Sequence, residues 1–344
     1  MMNKPTVAVV IVHWNRRQLL EQFLPSVLAS TYSNLKIYVA DNASTDDSVA
    51  YIETQFPKVS VIQLNKNYGY AGGYNEALKE VKADYYVLLN NDIEVPAGWI
   101  EPVIDLMEQQ PDVGACQPKM IDYRNRNLFE YAGACGGFID TLGYVFCRGR
   151  IFESLETDKG QYDDVRQIFW ATGACLFLRA ELFHKAGGFD EHFFAHMEEV
   201  DLCWRIQLSG YKLMAVPSSQ VYHVGGGTLN KMSPQKTYLN FRNNLIMLTK
   251  NLPLSVLWWL VPFRSFLDLL SSLFFLINGF PKYSWAVHQA HADYFLKFGK
   301  WWKLRKTLQV NRKPLSKLTG VYKGSIVQQH FLKKVRFFSE LNWK

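Results

Sequence analysis

Cysteine is scarce: the 344-residue chain has five, Cys116, Cys135, Cys147, Cys175 and Cys203, an odd number containing no C-x-x-C pair. That excludes a disulfide framework and a thiolate zinc site, and is expected of free thiols in a reducing compartment. The N-terminal stretch does not read as an export signal. Only six consecutive apolar residues, Val7 to Val12, precede His13, and no small-residue cleavage site follows, so this stretch reads as the first strand of a cytosolic domain. No apolar run reaches the roughly 20 residues of a membrane-spanning helix. In the most apolar stretch, Pro253 to Phe280, residues Pro262, Arg264 and Asp268 intervene, and Leu269 to Phe280 is too short to span. Acidic residues are few at the end of the chain: positions 251–344 hold 3 Asp/Glu against 15 Lys/Arg, whereas the first 250 hold 28 against 23. The net charge of +7 thus joins a neutral-to-acidic body to a basic tail suited to an anionic surface, nucleic acid or membrane headgroups. Hydrophobic residues, at 48%, are enough for a substantial core and exclude global disorder.

What is present alternates. "TVAVVIV" predicts a buried strand, Arg16 to Ser30 a helix, "LKIYVA" a strand ending at Asp41, and "DNASTDDSVAYIETQF" a helix with Ser44 as its N-cap. "VSVIQL", a helix over 71–82, "DYYVLL", a helix over 96–109 and "VGACQP" follow. Strands separated by helices specify a mostly parallel α/β sheet with helices on both faces, whose ligands bind at the carboxyl ends of the strands. Residues 121–167 read as Gly- and Arg-containing loops that shape a pocket. After them come the strand "QIFWATGACLFL", the helix "HMEEVDLCWRIQLSGY" ending at Gly210, two short strands, "KLMAVP" and "SQVYHV", and a helix over 233–251.

Four constellations carry chemistry. Asp41 and Asp92 close neighbouring strands. Each alone is an ordinary turn residue; together, one suits a nucleobase or ribose and the other a hard divalent cation. Gly69, Gly72 and Gly73 precede a helix start, which suits either phosphate or close packing; their spacing is not the dinucleotide fingerprint. Glu198, Glu199 and Asp201 form either a solvated first turn or the source of a general base. His223, before three glycines, is either structural or a metal ligand.

In order, "VHWN", "DNASTD", "NYGYAGGYN", "LLNNDIEV", "TGAC", "GGFDEHFF…EEVDLCWR" and "YHVGGGT" resemble bacterial family-2 glycosyltransferases of the GT-A fold, in the rhamnosyltransferase-like branch that builds surface polysaccharides. The resemblance covers about Val7 to Leu252. It implies a GT-A nucleotide-diphospho-sugar transferase domain over 1–252, followed by a helical, basic extension over 253–344. It implies an inverting, metal-dependent transfer from a UDP- or dTDP-sugar to a glycan or polyprenyl-linked hydroxyl. On the donor side it places Asn15, Asp41, Asn42, Asn67, Gly69, Gly72, Asn75, Asn90 and Asn91, with Asp41 on the nucleobase. Asp92 and His223 would hold Mg²⁺ or Mn²⁺. Trp170, Thr172, Gly173 and Asp201 would line the acceptor side. Glu199 would be the base, with Glu198 as its substitute, although the family usually has Asp there. A non-catalytic sugar-nucleotide-binding relative docked to a membrane assembly is the other reading; a nucleotidyltransferase gives the Glu pair no role. The 253–280 stretch fits an interfacial helix or hairpin at the inner face of the cytoplasmic membrane, against a buried helical pair or a homodimer contact. No nucleic-acid-binding motif accompanies the basic tail.

Overall fold

A computed structural model of the chain describes residues 4–225, 233–308 and 310–343. Gly226, Gly227 and Thr228 of the "YHVGGGT" stretch lie outside the described residues. The apolar run of β1 (Val7–His13) is buried along almost its whole length, because both of its faces are covered. Its side chains alternate between two cores. Val7, Val9 and Ile11 meet α1 (Arg17–Leu28) through Leu20, Leu24 and Val27. Ala8 and Val10 face the other core, which holds Ala71, Tyr74 and Ala77 of α3 (Gly69–Ala77). Before α3 come β2 (Leu35–Asp41), α2 (Ser48–Gln55) and β3 (Ser60–Gln63); after it come β4 (Tyr85–Leu89), β5 (Ile93–Glu94), α4 (Glu101–Gln109) and β6 (Val113–Asp122).

β1, β2, β3 and β4 are parallel, in the order β3-β2-β1-β4. The sheet then reverses, so that it is mixed. β12 (Cys175–Arg179) lies antiparallel between β4 and β6, and β13 (Lys212–His223) runs parallel to β6. The two expected short strands are one: a register shift between Val216 and Gln220 absorbs Pro217. The loop region also holds regular structure. β7 (Gly137–Asp140), β8 (Val145–Cys147), β9 (Arg150–Ile151) and β10 (Ser154–Leu155) build a second sheet, while β11 (Arg166–Gln167) joins the edge of the first. α5 (Ala180–Lys185) and α6 (Glu198–Leu208) follow β12, and α6 opens with the acidic pair.

α7 (Pro234–Asn251) leads into α8 (Leu254–Ile277), α9 (Pro281–Leu296) and α10 (Phe298–Thr307). α8 corrects the sequence expectation. Pro262 sits inside one continuous 24-residue helix, the one helix among the described residues long and apolar enough to cross a membrane by length and composition. Arg264 and Asp268 do not interrupt its apolar surface, because they fall on its buried stripe with Leu257, Leu260, Val261 and Ser272. There Arg264 donates to Leu142 O and Asp268 meets His291 at 3.2 Å. The end of the chain is not a free basic tail. β14 (Val321–Tyr322) adds to β7, and Phe338 and Trp343 pack on Phe138 and Phe146. Burial of these rings ties residues 321–343 to the second sheet.

Candidate active site

The carboxyl ends of β1, β2 and β4 lie side by side, with His13 in register with Asp41. Asp41 is buried. Its Oδ2 accepts from Ser44 N at 3.1 Å, and its Oδ1 has no hydrogen-bond partner among the described residues. Asn15 bridges to the same loop: its N–H donates to Ser44 Oγ and its Oδ1 accepts from Thr45 N, both at 2.8 Å. Ser44 is thereby engaged in the loop, and α2 begins four residues later. Asn42 donates to Asn67 Oδ1 and Gly69 O, and accepts from Tyr68 N.

His13 joins this cluster to the next. It is fully buried, and burial pushes its imidazole down to about 4. A neutral ring donates from Nε2 to Ser48 Oγ and accepts at Nδ1 from Asn91 Nδ2, both at 2.9 Å. The strand-end amide thus positions the turn that presents Asp92.

Asp92 meets the end of β13 because β5 pairs with it, Ile93 opposite His223. His223 Nε2 lies 3.1 Å from Asp92 Oδ1 and its Nδ1 lies 3.2 Å from Glu130 Oε1, with all three side chains buried. Asn90 Nδ2 is also 3.4 Å from His223 Nε2. Burial opposes a charged ring, but the Glu130 and Asp92 carboxylates outweigh it and push the imidazole up to about 10. No cluster of three or more candidate metal-ligating side chains occurs among the described residues. Two donors nevertheless fit a hard cation that takes its other ligands from substrate phosphates and water. The 3.1 Å Asp92–His223 contact is an ion pair of the protonated imidazole, so a cation held by these two groups would take the place of the His223 proton. Glu130 behind the histidine is the outer carboxylate that orients such a ligand.

The third cluster sits at the start of α6. Gly173 is where it is because of close approach: a Cβ there would lie 2.7 Å from Tyr70 Oη and 3.6 Å from Glu199 Cβ. Tyr70 donates to Gly173 O at 2.6 Å, and Asn90 N donates to Ala174 O at 2.9 Å. The "TGAC" loop therefore connects the acidic pair to the Asp92 turn. Glu198 is 4% exposed; burial, reinforced by Glu199, holds its carboxyl well above the ordinary range. Glu199 is half-buried, and burial pushes it up to about 7 against the backbone amides that stabilise its charged form. Environments that push two carboxyls apart assign them different roles.

The backbone before this pair is strained: Phe194, His196 and Met197 all have positive φ, at 62°, 69° and 74°. α7 clasps it. Asn243 Nδ2 lies 3.0, 2.9 and 2.7 Å from the carbonyl oxygens of Phe193, Ala195 and His196, and Arg242 donates to His192 O at 2.8 Å.

The remaining candidate residues are placed as follows within the described structure. The N–H groups at the start of α3 are not available to phosphate: Gly69 N donates to Asn67 Oδ1, and Tyr70 N and Ala71 N to Phe194 O. Gly69 and Gly72 are packing glycines, since a Cβ on either would collide with the side chain of Phe194 or Tyr68. Asn75 clasps both backbone groups of Phe189. Trp170 lines no surface; its ring lies under Gly137 and its Nε1 donates to Phe138 O. Thr172 is buried, with its N–H on Gln117. Asp201, fully buried, accepts from Arg205, Lys250 and Asn251 and anchors α6 to α7. Conversely, the sequence reading missed His13, Tyr70, Glu130 and Asn243. Only His13 carried a signal, as the polar residue ending the first apolar run.

The model of glycosyl transferase family 2 matches residues 8–186, more than half of the chain. The N-acetylglucosaminyl-diphospho-decaprenol L-rhamnosyltransferase of Mycobacterium tuberculosis is 25% identical over 272 residues, covering 74% of this chain and 87% of that protein. The O-antigen biosynthesis protein RfbC of Myxococcus xanthus is 27% identical over 64% of this chain and 17% of its own length. Among solved structures, GalNAc-T7 with UDP, GalNAc and Mn²⁺ superposes with a TM-score of 0.57 at 17% identity, over 73% of this chain and 49% of that one. The mannosyltransferase PcManGT of Pyrobaculum calidifontis, in complex with GDP-Man and Mn²⁺, gives 0.52 at 15% identity, over 89% and 86%. Both show the GT-A fold.

Proposed function

The chain belongs to glycosyl transferase family 2 and is a glycosyltransferase, and from that premise we propose an inverting, divalent-cation-dependent enzyme that moves a sugar, rhamnose or another hexose, from a UDP- or dTDP-sugar to a hydroxyl of a lipid-linked or polysaccharide acceptor in cell-surface glycan synthesis. The observation that carries this reading is the continuity of three clusters: Asp41, Asp92 with His223, and Glu199 are linked through His13–Asn91 and through Gly173–Ala174–Asn90.

Asp41 Oδ1 is the buried acceptor left over for a pyrimidine imide N–H. Asp92 and His223 would hold Mg²⁺ or Mn²⁺, which, when bound, neutralises charge on the departing diphosphate. Glu199 takes the proton of the acceptor hydroxyl as its oxygen bonds to the anomeric carbon. The bond from that carbon to the diphosphate oxygen breaks, and the nucleoside diphosphate leaves from the opposite face. Glu198, held protonated, does not compete as a base. One carboxylate base and no second nucleophile give inversion without a covalent intermediate.

We place residues 1–252 as the transferase unit and 253–344 as an appendage at the inner face of the cytoplasmic membrane. The five cysteines are free and buried, in keeping with a reducing compartment. The outer face of α8 is apolar and exposed, with Trp258 at 74% and Ile277 at 75%, and α9 adds Trp285 and Phe295. The buried stripe of α8, which carries Arg264, Asp268 and Ser272 beside Leu257, Leu260 and Val261, is turned onto the body along most of its length, and we read the helix as lying in the surface plane. Nearby lysines add roughly 1 kcal/mol each at an anionic surface. Thermal-shift screening with UDP- and dTDP-sugars, with and without Mn²⁺, tests the donor assignment, since a ligand that binds the native state raises its melting temperature. No shift with any of them, or equal shifts without metal, overturns it. Flotation with anionic vesicles tests the surface assignment; a chain that dimerises and ignores vesicles refutes it.

A further inference from the structure

Between α8, α9 and α10 runs a groove of about 640 Å³, walled by Leu257, Trp258 and Val261 of α8, Tyr294 of α9, and Phe298 and Trp302 of α10. Its lining is chemically one-sided. Ser255 and Tyr294 bring the only side-chain polar groups apart from the Trp indoles, and the Tyr294 hydroxyl is 2.6 Å from Thr249 Oγ1, hence already engaged. A nucleotide or a glycan placed there would lose hydration without replacement hydrogen bonds. A hydrocarbon chain would not, and the volume lies in the range of small-ligand sites.

Two further features narrow the occupant. Lys300, Lys303 and Lys306 are exposed on α10, the helix that contributes Phe298 and Trp302, and Lys306 follows Trp302 by one turn; Arg305, over the Trp302 ring at 5.6 Å, is buried and already donates to Thr249 O and Leu252 O. A hydrocarbon carrying an anionic head would meet these lysines. The groove also backs onto the catalytic segment. Asp293, beside Tyr294, accepts from Tyr238 and pairs with Arg242, which in turn holds His192 O. Trp301, beside Trp302, packs its ring on that of His192. The helices that wall the groove thus also hold His192, in the segment that leads into α6 and Glu199.

We propose that this groove seats the polyprenyl chain of the acceptor, with the phosphate of that lipid on the α10 lysines. The inference rests on the lipid-linked acceptor reading above. It accounts for an apolar groove beside the apolar outer face of α8: that face meets the membrane, and the groove takes one chain out of it.

The test uses the full chain and a long-chain polyprenyl phosphate bearing a photoreactive group, with cross-links mapped by mass spectrometry. Labelling is expected within 254–262 and 294–302, competed by unlabelled polyprenyl phosphate but not by phosphatidylglycerol vesicles. Ser255→Trp, which fills the groove from an exposed position outside the catalytic clusters, should lose most of the labelling and raise KM for a long-chain acceptor. Its transfer to a short-chain acceptor should match wild type, which also reports that it is folded. Labelling elsewhere, equal competition by phosphatidylglycerol, or undiminished labelling of Ser255→Trp overturns the proposal. Transfer to a lipid-linked acceptor without groove labelling overturns the groove alone. Transfer only to tail-free glycans overturns the acceptor reading with it.

Discussion

Asn243→Ala is the most revealing single change away from the carboxylates. The amide is fully buried and its orientation is fixed, since Oδ1 accepts from Arg242 at 3.0 and 2.8 Å while Nδ2 faces three carbonyls. An NH₂ group has two hydrogens, so at most two good bonds to the carbonyls are lost, at roughly 0.5–1.5 kcal/mol each, with about 1–3 kcal/mol more for a carbonyl left unsatisfied, and the two Arg242 bonds to Oδ1 go with them at roughly 1.5–3 kcal/mol each. Held against this clasp are three non-glycine residues at positive φ, each storing on the order of 1–3 kcal/mol. The strain and the clasp are comparable, so removing the clasp should let residues 193–197 relax and move the start of α6. Displacement of a base by about 1 Å can cost on the order of 10²-fold in rate. The expected result is a fall in kcat of that order, with KM for the nucleotide-sugar little changed, because Asp41 and Asn42 stand on a different loop. Stopped-point transfer assays across donor concentrations, with circular dichroism to confirm the fold, give the answer. A variant that melts earlier yet keeps full kcat would show that the clasp serves stability only and that the strained segment does not position the base.

Glu130→Gln keeps the volume beside His223 and removes the charge; Mn²⁺ affinity in the presence of UDP, read by calorimetry, should fall about 10- to 100-fold, and an unchanged affinity would remove Glu130 from the metal account. Asp41→Asn keeps an acceptor for Ser44 N but loses the anionic one, so donor affinity should fall by roughly 1.5–3 kcal/mol; calorimetric titration with the donor nucleotide that matches wild type would contradict the nucleobase role.

What the sequence made legible was local. The apolar runs of β1, β2 and β4 broke at polar residues, and those breaks are the strand ends where Asp41 and Asp92 stand. α6 and its end at Gly210 followed from periodicity and a glycine at φ 95°. The failures share a cause: each depends on a partner distant in the chain. Strands of two to four residues in the second sheet are stabilised by β14, which arrives from position 321. Pro217 and Pro262 look like breaks until a bulge accommodates the one and a long helix packed on α9 the other. Glu130 and Asn243 have no motif, because what defines them is the imidazole and the three carbonyls they meet. Trp170 and Asp201 stood in the right stretches, but turned inward, and strand or helix periodicity read without neighbours does not show which.

The central claim is that Glu199, tuned by burial to about 7, is the base for sugar transfer. The pH dependence of kcat/KM for wild type and Glu199→Gln tests it most directly. A required carboxylate base is active when deprotonated, so the wild-type value should rise with pH, about tenfold per unit below about 7 and level above it. Glu199→Gln should bind donor normally, lose roughly 10²–10⁴-fold in rate and lose that acid limb. A Glu199→Gln variant that retains both the rate and the limb would contradict the account, and would move the base to another group.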